Sequence, residues 1–371
     1  MDRLDRIILA HGGGGVLMRD LIRDVIAAPL ANDALAQLGD SAILPVAQPN
    51  SAGRPATGEG ARATGRIAFT TDTYVVQPVF FRGGDIGRLA VAGTVNDLAV
   101  VGAAPLALSL GFILEEGLPI ADLRRIVASI RDTADEAGVW VVTGDTKVVG
   151  AGAADGIFIN TSGIGVVPDG IDLGPSRITP GDAVLVNGGI AQHGVAILSE
   201  REGLAFETPV ASDAAPLNGL IAACLAAGEV HFMRDATRGG LAAVLNEMAQ
   251  DGGLTVEIDE RAVPVDPAVA GACDLLGLDP FTVANEGKVV VVCAASDADS
   301  VLAAMRAHEQ GRAAAVIGRV TEGHRLQTTG GTPTERTAGG TPESGRVVLR
   351  TVFGGARTLE MPYGEDLPRI C

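Results

Sequence analysis

Two stretches of this chain, separated by a turn-rich connector, repeat one alternation of extended and helical patterns, and that repetition limits the fold more than any single motif. In the first stretch "RIAFTTDTYVV" (66–76) is a β-branched and aromatic run that predicts a strand. "DIGRLAVAGTVNDLAVVG" (85–102) reads as a helix with Asp85 as its N-cap and Gly102 at its C-terminal end. "PLALSLGFILEE" follows as a strand, and "IADLRRIVASIRDTADEAG" (120–138) places Ile120, Leu123, Ile126, Val127 and Ile130 on one face of an amphipathic helix. Strands at "VWVVTGDTKVV" and "GIFINTSGIGVV" complete the set. After the connector "PDGIDLGPSRITPGD", the strand "AVLVNGG" opens the second stretch. Helices are expected around Ala191 to Glu202, Leu217 to Ala227 and Thr237 to Gln250, with strands at "LTVEIDE", "GKVVVVCA" and "AAAVIGRV". Such alternation predicts an α/β (α+β) architecture. Because 371 residues exceed what one core usually organises, two lobes are expected. Their bounds are set at 1–166 and 167–361, with a flexible tail over 362–371 that ends in Cys371.

Outside these elements, "LMRDLIRDVIAAPL" has helical periodicity through Leu17, Leu21, Ile22 and Val25. "PVAQPNSAGRPATGEGARATG" (45–65) is too polar and glycine-rich to bury much and reads as a long mobile loop. "QTTGGTPTERTAGGTPESGR" (327–346) reads as a flexible hairpin tip. A net charge of −17 and an aromatic content of 3% argue against nucleic acid, which needs cations for phosphates and rings for bases. A phosphate compound bound here needs a mediating cation. Cys224, Cys273, Cys293 and Cys371 form no C-x-x-C pair, which favours a reducing compartment, the cytoplasm, over a disulfide framework. No apolar run reaches membrane-spanning length.

The standard phosphate loops are missing. In their place stand four aspartates in small-residue settings: Asp72 in "TTDTY", Asp97 in "TVNDLA", Asp145 in "TGDTK" and Asp235 in "RDATRGG". Such carboxylates either hold Mg²⁺ on a nucleotide, whose phosphates need small neighbours, or cap turns and helices. "HGGGG" (His11 to Gly15) and "RGGDIG" (Arg82 to Gly87) offer bare backbone amides for a phosphate cradle or a lid. Lys147, on an otherwise apolar strand, and Glu286, just before one, are either paired structural ions or tuned acids and bases. His193, His231 and His308 lack metal spacing and read as surface or packing residues, and Cys224, Cys273 and Cys293 as core thiols. Cys371 is either a frayed end or a substrate on an arm, since the extended chain from Pro362 spans about 30 Å at roughly 3.3 Å per residue.

Taken together, "TTDTYVVQPVFFRGGDIGRLAVAGTVNDLAVVGAAP", "TGDTKVV", "INTSGIGVVP", "RDATRGGL", "ANEGK" and the terminal "PRIC" resemble the HypE family of hydrogenase maturation proteins. That family lies in the aminoimidazole ribonucleotide synthetase (PurM-like) superfamily and makes the cyanide ligands of [NiFe]-hydrogenases. The resemblance implies two α/β lobes, a homodimer through the sheets of the first lobes, and ATP with Mg²⁺ in the groove between lobes. It implies that the carbamoyltransferase HypF loads the Cys371 thiol and that ATP-dependent dehydration yields a thiocyanate. The cyano group then passes to iron on a HypC–HypD complex. Carried onto this sequence, it makes Cys371, Lys147 and Glu286 catalytic. Gly83, Gly84, Asp85, Asn96, Thr146, Asn160 and Gly239 become nucleotide contacts, and Asp72, Asp97, Asp145 and Asp235 metal ligands. Lys147 would need to be neutral to act as a base, which burial would favour. A selenophosphate synthetase or aminoimidazole ribonucleotide synthetase, or a scaffold tethered through Cys371, are the competing readings; none of the enzymes among them needs a C-terminal thiol.

Overall fold

A computed structural model describes residues 15–21, 23, 41–47, 63–203, 210–322, 345–364 and 369–371. After a short helix α1 (Val16–Leu21), the first lobe is a five-stranded sheet in the order β1-β2-β7-β5-β6. It is built from β1 (Ala42–Ala47), β2 (Ala63–Tyr74), β5 (Ala104–Glu115), β6 (Trp140–Val149) and β7 (Ile157–Val167). The short pair β3 (Phe80–Phe81) and β4 (Gly84–Asp85) leads into α2 (Ile86–Val100), and α3 (Ile120–Ala137) links β5 to β6, its parallel neighbour. α2 starts where it does because the Asp85 carboxylate accepts from the amides of Gly87 and Arg88. All of its residues except Arg88 and Asp97 are buried, since it lies between the first sheet and the second lobe.

The second lobe has a seven-stranded sheet, β14-β13-β10-β12-β8-β11-β9. Its strands are β8 (Ala183–Val186), β9 (Val230–Asp235), β10 (Thr255–Asp259), β11 (Val289–Cys293), β12 (Ala315–Thr321), β13 (Arg346–Arg350) and β14 (Ala356–Thr358). Helices α4 (Gln192–Glu202), α5 (Asn218–Ala227), α6 (Gly240–Gly252), α7 (Pro267–Leu276) and α8 (Ala298–Ala307) accompany it. β8 and β11 are apolar without a break because both sheet faces are covered. Val290 and Val292 pack with Leu241 and Leu245 of α6 on one face, while Val289 and Val291 pack with Leu220 of α5 and Val301 of α8 on the other.

The structure corrects several sequence expectations. The segment read as a loop over 45–65 is strand at both ends, because β1 reaches Ala47 and β2 begins at Ala63; residues 48–62 lie outside the described set. Pro45 is tolerated because β1 is an edge strand. Of the expected α3 face, Ile120 and Val127 are exposed, and the buried stripe is Ile126, Ile130, Thr133, Ala134 and Ala137. α6 begins at Gly240 rather than Thr237, because Gly239 and Gly240 take left-handed φ values of 76° and 61°. The polar segment over 327–346 ends inside β13, although residues 323–344 lie outside the described set, as do His11 to Gly14 and Val25. The sequence pattern overlooked β9, α7, α8, β13 and β14.

Candidate functional site

The site grows from the end of β2. Asp72 and Tyr74 share the face of that strand that meets α2, and the Tyr74 hydroxyl donates to Asp72 Oδ2 at 2.9 Å. Gly93 of α2 leaves room for this pair, because a Cβ there would fall 2.2 Å from the Tyr74 oxygen. Asp97, further along α2, accepts from Thr70 Oγ1 at 2.9 Å. From the second lobe come Asp235, buried at the end of β9, and Glu286, buried in the loop before β11. That loop is fixed from several sides. The Asp213 carboxylate accepts from the amides of Glu286 and Gly287 and forms a 2.7 Å ion pair with Lys288, and Asn285 donates to the Ala236 carbonyl.

These groups share one electrostatic neighbourhood. Burial, followed by Asp235, Asp213 and Asp72, pushes the Glu286 carboxyl well above the usual range for glutamate, while Arg238 opposes. Among the described residues Glu286 Oε1 has no hydrogen-bond partner. Burial and the charges of Asp72, Glu286 and Asp97 likewise hold the Tyr74 phenol protonated. Among the described residues no three His, Cys, Asp or Glu side chains converge to hold a metal ion by themselves. Two hard carboxylates, Asp72 and Asp235, beside the unpartnered Glu286 oxygen nevertheless fit Mg²⁺, which keeps water and phosphate as most of its ligands.

The end of the chain enters this neighbourhood. The amides of Val75 and Gln77 donate to the main-chain oxygens of Cys371 and Arg369 at 3.1 and 3.2 Å, so the tail lines up antiparallel to the segment after β2. Arg369, at a left-handed φ of 55°, is held by Gln77 Oε1, the Val75 carbonyl and a 2.5 Å ion pair to Asp155. Ile370 is 3% exposed and packs in the first lobe's core with Val76 and Phe81, and Cys371 packs against the same cluster. Negative charge at Cys371 is the largest influence raising the Arg238 pKa. The three remaining thiols are buried, with Cys224 pushed up to about 12 and Cys273 and Cys293 each to about 11, so they are inert beside Cys371.

Other candidate residues stand elsewhere. Register aligns Thr73, Asn160, Gly111 and Asp145 across four strands, on the sheet face opposite Asp72. Asp145 and Lys147 form a 2.7 Å ion pair there with side chains 73% and 70% exposed, so the burial expected for Lys147 is not found in the single chain. Thr146 is exposed beside them, and the Asn160 amide donates to Thr71, Thr73 and the Asp72 carbonyl. Asn96 is a buried staple between lobes, donating to the Ala215 carbonyl and accepting from the Leu217 amide. The Asp85 carboxylate caps α2. Gly83, at a φ of 92°, lies in the turn before β4, and Gly84 opens that strand beside Asp85; Gly83 abuts Ser212, and Gly239 forms the turn into α6. Sequence reasoning passed over Tyr74, Asp213, Arg238 and Lys288, and read His193 as a surface or packing residue, whereas it is fully buried with Ser212 and the Ile370 carbonyl as partners. Only Tyr74, Arg238 and Lys288 carried a local signal, through their places in "TTDTY", "RDATRGG" and "ANEGK".

Residues 58–167 match the AIR synthase related protein N-terminal domain family, and residues 179–331 match its C-terminal domain family. Carbamoyl dehydratase HypE of Azotobacter vinelandii is 47% identical over the full length of both chains. A crystal structure of HypE in complex with ATP is 42% identical, with a TM-score of 0.75, covering 99% of this chain and 100% of that one. The HypE–HypF complex contains a chain 41% identical, with a TM-score of 0.79, covering 92% of this chain and 99% of that one. A two-lobed α/β fold, likeness along the whole chain and a final cysteine docked on the backbone after β2 agree: this chain belongs to the HypE family of carbamoyl dehydratases.

Proposed function

We propose that this protein dehydrates its own S-carbamoylated Cys371 to a thiocyanate with ATP, supplying the cyanide ligand of a [NiFe]-hydrogenase. The observation that carries the reading is the docking of Cys371 by Val75 within the neighbourhood of Glu286, Asp72 and Arg238. The carbamoyl oxygen attacks the γ-phosphorus of ATP and ADP leaves. The nitrogen then loses two protons, the C–O bond breaks with departure of phosphate, and a C≡N bond remains on sulfur.

Glu286 suits the acceptance of a proton, because a carboxylate of raised pKa is a stronger base. Tyr74 orients Asp72, and the buried Ile370 seals the tail against the core so that water is kept from the phosphorylated intermediate. Mg²⁺ carried by the nucleotide would be held by Asp72 and Asp235, with Asp97 nearby, and would offset phosphate charge. Asp145 and Lys147 act in the assembled homodimer. The strand β6, at the edge of the described sheet, leaves Trp140, Val142 and Val148 exposed at 77%, 61% and 70%, apolar side chains along an edge that a second copy would cover. The named HypE–HypF complex supports HypF as the loading partner, and a HypC–HypD complex is assigned as cyanide acceptor. Reduced thiols and the lack of a described helix able to cross a membrane support a cytoplasmic site of action.

Mass spectrometry of the intact protein with carbamoyltransferase, carbamoyl phosphate and ATP tests the reading. A carbamoyl adduct on Cys371 that loses one water only when ATP is present is expected. No adduct on Cys371, or an adduct that ATP leaves unchanged, overturns it.

A further inference from the structure

We propose that His193 is a positioning residue that latches the docked tail by the carbonyl of Ile370, with Arg201 of the same helix holding the preceding carbonyl. His193 is fully buried in the first turn of α4, and its Nε2 lies 2.7 Å from the Ile370 oxygen. A carbonyl only accepts, so Nε2 carries the hydrogen. On the other side Nδ1 is 2.7 Å from Ser212 Oγ, which already accepts from the Ala214 amide at 3.1 Å. The serine hydrogen is therefore directed at Nδ1, and the neutral tautomer that donates to the tail is selected. Burial lowers the His193 pKa, opposed by Asp213, which agrees with a neutral ring. Phe81 meets the imidazole edge to face, with ring centroids 5.6 Å apart. At the far end of α4, Arg201 Nη2 donates to the carbonyls of Arg369 and Gln77 at 2.8 Å.

The latch shares a frame with the proposed base. Asn285 Oδ1 accepts from the Ala191 amide at 2.7 Å, and the Gly194 amide donates to the Ala284 carbonyl at 3.0 Å. The start of α4 is thus tied to the two residues that precede Glu286, so one loop sets both the tail carbonyl and the carboxylate. Because His193 and Arg201 hold main-chain carbonyls, they govern where the tail lies and leave the chemistry at the thiol to other groups.

The test needs no nucleotide or partner. Iodoacetamide alkylation of the whole protein, read thiol by thiol by mass spectrometry, reports how often Cys371 leaves the site; buried Cys224, Cys273 and Cys293 are internal controls. His193→Ala and the less buried Arg201→Ala should each speed Cys371 alkylation severalfold with the controls unchanged. His193→Gln, which keeps an N–H in the place of Nε2, should restore the slow rate. In the coupled assay His193→Ala should load carbamoyl normally and dehydrate it about tenfold more slowly, the cost of one good hydrogen bond. Wild-type alkylation rates in both alanine variants, or equal activation of all four thiols in both, would overturn the latch. This inference rests on the dehydratase reading only for its kinetic arm. If the wild-type protein fails to dehydrate, that reading falls while alkylation still judges the latch.

Discussion

Tyr74 donates its hydroxyl hydrogen to Asp72 over 2.9 Å, and the next residue, Val75, gives its amide to the terminal Cys371. The end of β2 thus fixes a proposed nucleotide-site carboxylate and the substrate tail within four residues. Tyr74→Phe keeps the packing and removes one donor, so a stability loss of about 1 kcal/mol is expected. Its larger effect should fall on Mg²⁺-dependent ATP binding, weakened severalfold because Asp72 loses its orientation. Calorimetric titration showing wild-type affinity would mean that Asp72 needs no orienting partner.

The buried Lys288–Asp213 pair, 8% and 4% exposed, braces the Glu286 loop and should be costly to break on one side only. Burial pushes the Asp213 carboxyl up, but Lys288, His193 and the Glu286 amide together bring it below its ordinary value. A depressed carboxylate contributes stability that is present above the unfolded pKa and lost as pH falls through the folded one. Lys288→Met strands the charge, so it should cost about 3–5 kcal/mol near neutrality, with the gap to wild type narrowing in acid. Denaturation midpoints followed across pH measure this, and a gap that is constant with pH would refute the assignment.

Glu286 titrates in the opposite sense. Burial and then Asp235, Asp213 and Asp72 raise its carboxyl pKa, so its contribution to stability is complete below the unfolded value and lost as pH rises through the folded one. Glu286→Gln does not titrate and fills the same space. In nucleotide-free protein it should therefore melt higher than wild type near pH 8, with the advantage fading on the acid side, while the carbamoylated form accumulates without conversion. Parallel melting curves at all pH values together with normal conversion would remove both the strained carboxyl and its role as base.

What the sequence disclosed depended on whether a signal was local. Asp85 as a cap, the β8 and β11 runs and the α2 boundaries are written in neighbouring residues, and the structure places them as read. The α3 face was misjudged because periodicity specifies a stripe and not what covers it; Ile120 and Val127 share the pattern but stand exposed. Asp213 meets Lys288 across 75 residues, and His193 meets Ile370 across 177, so no window of sequence contains either relationship. His193 looked ordinary because its partner is a backbone carbonyl, which leaves no trace in residue type.

The tail itself gives the sharpest test of length. Its ladder places the Cys371 main-chain oxygen on the Val75 amide, with Ile370 buried, and Arg238 feels the charge of Cys371 together with that of Asp72 and Glu286. Adding a glycine after Cys371 replaces the terminal carboxylate with an amide and drives new backbone and a displaced charge into a space already holding buried carboxyl groups. The thiol stays accessible when the tail is out, so carbamoyl loading should proceed, whereas dehydration should fall at least tenfold, matching a loss of about 1.4 kcal/mol in the docked state. Cys371→Ala, by contrast, removes the acceptor and should abolish loading while ATP binding is retained. Mass spectrometry separates the two steps in each variant. Normal dehydration by the extended protein would show that the groove reads the thiol without measuring where the chain ends; loading on any other residue of Cys371→Ala would remove the tail from the reaction.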